Sequence, residues 1–322
     1  MRTDIHTHLI PSIAPDLAAV AGLDATEHGL VADGHTIGPP ALYRPAQLRD
    51  WLRHAGLARA LVSVPPPLYR QELRHREAHL WVSGLNDALR ADLAGSTRLI
   101  PLGYLPLEHP AEALAEATRL IDAATVGFAA AAGGRSRPLD DPELVPLWQL
   151  LQDTGRPLLL HPGASPDARL AAHYLHNLLG NPVETTLAAA QMLLGGVLTQ
   201  FPGLRVALAH CGGVLTAVLG RWQRGVDTHR PGLRLPAHAL RAQAQSLWLD
   251  SLAHDHRQID AAIEIVGPEH LLVGSDWPFP MGDSDPLATL RNLGAPMVEQ
   301  IAVRNAHRFL HGVDRPPPPP LR

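Results

Sequence analysis

The chain has 322 residues, a net charge of −4 and 46% hydrophobic residues, enough for one large domain or two ordinary ones and too mildly charged for a basic nucleic-acid surface. One cysteine, Cys211, excludes an internal disulfide framework and a Cys-rich zinc knuckle, and the absence of lysine excludes a Schiff base, a phosphate-loop lysine and a carboxylated-lysine metal bridge. No apolar run reaches the roughly 20 residues of a membrane helix, and the opening MRTDIHTH has no apolar signal core, so a cytoplasmic protein without membrane segments is expected.

Short apolar runs read as strands near 3–6, 59–65, 98–105, 125–131, 157–161, 205–210, 247–251 and 270–276. Amphipathic or Ala/Leu-rich segments lie between most of them, at 45–56, 75–93, 109–123, 141–154, 183–200, 213–225 and 257–266. Leu144, Leu147, Trp148 and Leu151 have the spacing of one buried helix face. Eight strands alternating with helices predict an α/β fold, a (β/α)8 TIM barrel. An open doubly wound sheet is the runner-up, but no Gly-x-Gly-x-x-Gly turn follows any strand. Residues 11–44, rich in Gly, Pro and Ala, read as a loop or small subdomain inserted after the first strand. The barrel is expected to span 1–312. Residues 313–322 form a Pro-rich tail, expected to be extended, with a PxxP-ligand role suggested by composition alone.

The chemistry begins at Asp4-Ile5-His6-Thr7-His8. Strand residues two apart share a face, so the two imidazoles converge. Neutral imidazole suits zinc and similar ions, although a lone His-x-His is equally well a pair of satisfied polar side chains. His161 ends the fifth apolar run, His210 the sixth and Asp276 the eighth. In a barrel these strand ends share one mouth, where active sites sit. Five such groups at equivalent strand ends make a site rather than coincidence.

This constellation resembles the amidohydrolase superfamily, in particular its aminocarboxymuconate-semialdehyde decarboxylase-like branch. The resemblance runs through DIHTHLIP (4–11), NPVETTLAAAQMLLGGVLTQFPGL (181–204), AHCGG (209–213), LWLDSLAHD (247–255), VGSDWPFPMGD (273–283) and NAHRFL (305–310). It implies one divalent metal, usually zinc, held by His6, His8, His161 and Asp276, with His210 as general acid/base. It also implies a homodimer in which Arg221, eleven residues after His210, reaches the neighbouring subunit's substrate carboxylate. An arginine fork suits that task, and an exposed helix arginine is the alternative.

The sequence also departs from the branch. Gly163 and Asn177 stand where its decarboxylases carry tryptophans. No arginine lies between Arg2 and Arg44, where the branch places its own-subunit substrate arginine. His35 is the nearest polar substitute for substrate binding, a solvated loop histidine being its other and plainer reading, and Arg44 is another candidate. The expected function is a metal-dependent decarboxylase acting on a small unsaturated or aromatic carboxylic acid. The alternatives are a metal-dependent hydrolase of an amide, lactone or imine-like bond, and a non-catalytic binding barrel.

Overall fold

The computed structural model describes residues 1–312 except 234, 237 and 238; the Pro-rich tail lies outside the described residues. The strands in chain order are β1 (Thr3–His8), β2 (Asp24–Thr26), β3 (Gly29–Ala32), β4 (His35–Thr36), β5 (Arg59–Ser63), β6 (Leu99–Pro101), β7 (Gly103–Leu105), β8 (Phe128–Ala132), β9 (Leu158–Pro162), β10 (Val206–Leu208), β11 (Trp248–Asp250) and β12 (Leu271–Leu272).

Two parallel sheets, β1-β5-β6 and β7-β8-β9-β10-β11-β12, meet at two seams. At one seam the third expected strand bends. Its first half, β6, pairs with β5 and its second half, β7, pairs with β8. Pro101 has no N–H to give at the bend, and Leu102 donates instead to the Val62 carbonyl at 2.8 Å. At the other seam Asp4 bridges Val273 and Thr7 bridges Trp277, with the Ile5 N–H on the Val273 carbonyl at 2.8 Å. The expected eight-position parallel barrel is the observed architecture.

The barrel interior explains why these runs are apolar. Ile5, Leu61, Leu102, Ala129, Leu159, Ala207, Trp248 and Leu272, one from each strand position, form a single buried cluster. Ala306, Phe309 and Leu310 from the helix Ala306–His311 complete it and plug one end. The opposite strand faces pack against an outer layer of helices, including His75–Asp92, Pro110–Asp122 and Val145–Asp153. Leu144, Leu147, Trp148 and Leu151 are buried as their spacing requires, and the Trp148 indole N–H donates to the Leu139 carbonyl at 3.0 Å. The expected helix at 183–200 breaks at Gly195-Gly196 into Asn181–Leu194 and Val197–Gln200, because Gly196 is left-handed at φ +78°.

The inserted segment is a small subdomain: a helix, Pro15–Val20, and an antiparallel meander, β2-β3-β4. Among the described residues no helix is long and apolar enough to cross a membrane.

Phe309 is 1% exposed and seals the apolar interior. Phe309→Ala should destabilise the protein by about 3–5 kcal/mol, the usual cost of an aromatic core truncation. A denaturant titration that shows less than about 1 kcal/mol would mean that the plug is not part of the cooperative core.

Candidate metal centre

β1 carries one extra residue relative to β5. Thr3 and Asp4 oppose Arg59 and Ala60, whereas Thr7 and His8 oppose Val62 and Ser63, so three steps on one strand match two on the other. Such a bulge re-aims side chains. Ile5 therefore lies in the apolar interior while His6 and His8 face the mouth above it. On β9 no bulge is needed: Leu159 is interior and His161, two residues on, reaches the mouth by simple alternation. Asp276 follows β12 in a left-handed conformation, φ +58°, and its N–H is held by the His6 carbonyl at 2.8 Å.

His6, His8, His161 and Asp276 are all buried, and one ligand atom from each lies within 4.8 Å of the others. The atoms that meet are His6 Nε2, His8 Nε2, His161 Nε2 and Asp276 Oδ1, and none has a directed hydrogen-bond partner. Asp276 Oδ1 lies 3.0 Å from His8 Nε2 and 3.3 Å from His6 Nε2. Unpaired buried polar atoms are costly and rare, so four at one point require a common partner. Three imidazoles and a carboxylate are a donor set that fits a divalent transition metal.

The far sides of the rings support this. His6 Nδ1 lies 2.7 Å from Asp250 Oδ2, His8 Nδ1 3.1 Å from Ser63 Oγ, and His161 Nδ1 3.2 Å from the Pro162 carbonyl. Each partner can accept a proton at Nδ1, which leaves the Nε2 lone pair free for a metal. Burial pushes the His161 pKa well below its ordinary value, and neighbouring His6, His8 and His210 add to the effect. His8 is lowered mainly by burial. Burial also works to lower His6, but Asp250 and Asp276 reverse it and lift the group to about 10. Burial tends to raise the Asp276 carboxyl, yet His210, His6 and His8 hold it well below the usual carboxylate range.

His210 edges this cluster. Its ring centroid is 5.3 Å from His6 and 5.1 Å from His161, and its Nε2 is 3.9 Å from Asp276 Oδ2. His210 and Cys211 both adopt left-handed backbones, φ +55° and +53°. Asp250 secures them by accepting from the His210 N–H at 3.1 Å and the Cys211 N–H at 2.7 Å. Gly213 then passes so close to the helix Asn181–Leu194 that a Cβ would lie 2.2 Å from the Pro182 carbonyl oxygen.

The mouth opens into two lobes, of about 380 Å³ beside His210 and about 200 Å³ beside His161. The structure thus brings together His6, His8, His161, Asp276 and His210. It does not bring the other two expected residues to the mouth of this chain. Arg221 is exposed on the helix Leu215–Asp227 and lines neither lobe. His35 is exposed in β4 and lines neither lobe. That corrects its expected place: the meander closes on itself and carries His35 outward. Arg44 lines a separate cavity of about 790 Å³ in the inserted subdomain. Sequence reasoning missed Asp250 and Ser63. Each lies two residues beyond an interior residue of its own strand, Trp248 and Leu61, so the same strand-end rule that marked His161 would have found both.

The amidohydrolase family model matches residues 3–312, and the chain belongs to the amidohydrolase family. Its relatives include aminocarboxymuconate-semialdehyde decarboxylases and other decarboxylases of the same branch. The 2-amino-3-carboxymuconate-6-semialdehyde decarboxylase of Dictyostelium discoideum is 25% identical over 333 residues, 98% of this chain and 92% of that protein. The gamma-resorcylate decarboxylase of Rhodococcus jostii is 28% identical over 220 residues, 60% of this chain and 65% of that protein. A solved structure of 5-carboxyvanillate decarboxylase from Novosphingobium aromaticivorans, complexed with manganese and 4-hydroxy-3-methoxy-5-nitrobenzoic acid, matches with a TM-score of 0.81 at 17% identity over 96% of each chain. That likeness establishes the shared fold.

Asp250→Asn tests the support behind the rings. An amide cannot accept from His6 and the backbone N–H groups together as the carboxylate does. Metal affinity, read by competition with a chromogenic chelator, should fall about 10–100-fold. Unchanged affinity would show that His6 is oriented by packing alone.

Proposed function

We propose that this chain is a metal-dependent decarboxylase of a small unsaturated or aromatic carboxylic acid. The observation that carries the reading is the meeting of four unpartnered ligand atoms beside His210 at one barrel mouth. The choice of decarboxylation over hydrolysis of an amide, lactone or imine-like bond is supported by likeness to a decarboxylase across 98% of the chain. His6, His8, His161 and Asp276 would hold one divalent ion, and their chemistry suits Zn²⁺. When bound, the ion supplies a Lewis acid that orients and polarises a substrate oxygen.

The chain's own residues do the rest. Loss of CO2 breaks a carbon–carbon bond and leaves its electron pair on the substrate carbon. His210 gives that carbon the proton that replaces the carboxylate, then recovers one from solvent. Its side chain is 17% exposed, enough to meet both the cavity and water. Asp250 is a positioning residue that fixes the His210 backbone and the His6 tautomer. His210→Ala should retain metal and lower CO2 release roughly 10²–10⁴-fold. The assay pairs metal analysis with headspace CO2 and with uptake of labelled water oxygen into product. Label uptake without CO2 would replace this reading with the hydrolase. Loss of metal in the variant, with full rate restored by excess metal, would make His210 a ligand.

A homodimer belongs to the same reading. Tyr174, Leu178, Leu179, Val183 and Leu187 expose an apolar stripe on the helical run beside the mouth, and several are spaced by four residues. A second copy covering this stripe would remove it from water and give Arg221 a neighbouring mouth to serve. Leu187→Asp should convert a dimer into a monomer in sedimentation velocity. A wild-type monomer at micromolar concentration would refute the assembly.

A further inference from the structure

Two side-chain amides face the mouth without a protein partner. Asn177 lies in the π-helical turn His176–Gly180, and Asn181 opens the helix Asn181–Leu194. Four residues apart on continuous helical backbone, they lie near one face. Both are half-buried, and both line the larger and the smaller lobe, together with Asp276 and Met281. Neither side-chain amide makes a hydrogen bond to another described residue, although each offers two donors and an acceptor.

The surroundings narrow what these amides can recognise. Asp276 and the histidines apart, the described residues that line the two lobes are uncharged, and no arginine is among them. Met281 and Pro182 make apolar wall. A second carboxylate here would lose water and gain only neutral donors. A hydroxyl or a carboxamide would be matched by amides that both donate and accept.

We propose that Asn177 and Asn181 form a specificity subsite for a neutral, hydrogen-bonding substituent. The substrate class is then a small acid with a single carboxylate, the one that leaves, and a hydroxyl or carboxamide on the remainder. This rests on the decarboxylase reading. In the proposed dimer, Arg221 of a second copy would serve the carboxylate that leaves; an Arg221 that takes a second carboxylate instead is the competing outcome, and the test separates the two.

The metal-loaded full chain is given benzoate and complete positional sets of hydroxybenzoates, carbamoylbenzoates and benzenedicarboxylates. Both CO2-release kcat/KM and calorimetric Kd are measured. The best neutral-substituted acid should exceed the best dicarboxylate at least tenfold. The double variant Asn177→Ala/Asn181→Ala should shrink that ratio below about threefold. The single variants Asn177→Ser and Asn181→Ser, milder changes, should each shrink it part of the way. A preference for dicarboxylates that disappears in Arg221→Ala would overturn the proposal, as would a neutral-group preference unchanged in every asparagine variant. If no acid releases CO2, the decarboxylase reading fails, and the Kd ratios still decide whether the amide pair selects a neutral group.

Discussion

One buried carboxylate, Asp250, holds the two halves of the site in relation to each other. Its Oδ2 lies 2.7 Å from His6 Nδ1 and also accepts from the His210 N–H, while Oδ1 takes the N–H groups of Cys211 and Leu252. Left-handed backbone at non-glycine residues costs of order 1–3 kcal/mol each. Hydrogen bonds to a charged acceptor contribute about 1.5–3 kcal/mol each, which offsets that strain. The imidazole lone pair that faces the cluster and the imidazole that edges it are thus set by the same atom.

The charges around this carboxylate form a closed set. Asp250 and Asp276 flank His6 and raise its proton affinity, while His8 and His161 are kept neutral by burial. Asp276 is held ionised against its own burial by the imidazoles around it. A divalent ion in such a cluster would be held by neutral imidazoles beside carboxylate charge already in position. The low-dielectric barrel interior beneath, made of Ile5, Leu61, Leu159 and Leu272, strengthens each of these interactions.

Much of this was legible in the sequence because a parallel barrel gathers strand ends. Apolar runs ending in His161, His210 and Asp276 mark a mouth in the sequence alone, and the eight-strand rhythm names the fold. What stayed hidden depends on local backbone geometry. Simple alternation places His6 and His8 on one face, but only the bulge in β1 reconciles that face with an interior Ile5. The left-handed turn at His210-Cys211 has no propensity signal, since neither residue is a glycine. Asp250 is legible as a strand-end aspartate, but the four donors it gathers are not. The third strand reads as continuous because the switch of partner after Pro101 leaves the apolar run unbroken. The short helices Pro286–Thr289, Ala295–Glu299 and Ala306–His311 are too brief to show a period. The side to which His35 turns is not legible, because an inserted meander can carry a polar residue toward or away from a mouth with the same composition.

The seam between β1 and β12 has a consequence for how the protein is made. His6 and His8 are synthesised well before Asp276, whose N–H the His6 carbonyl holds. The plug residues Ala306, Phe309 and Leu310 arrive later still. Contacts this distant in sequence form slowly, and N-terminal segments must wait for their partners. An unfinished chain therefore carries imidazoles without their carboxylate and a barrel without its floor. The four-donor cluster exists only once β1 and the segment after β12 have met, so closing the barrel and assembling the site are one event.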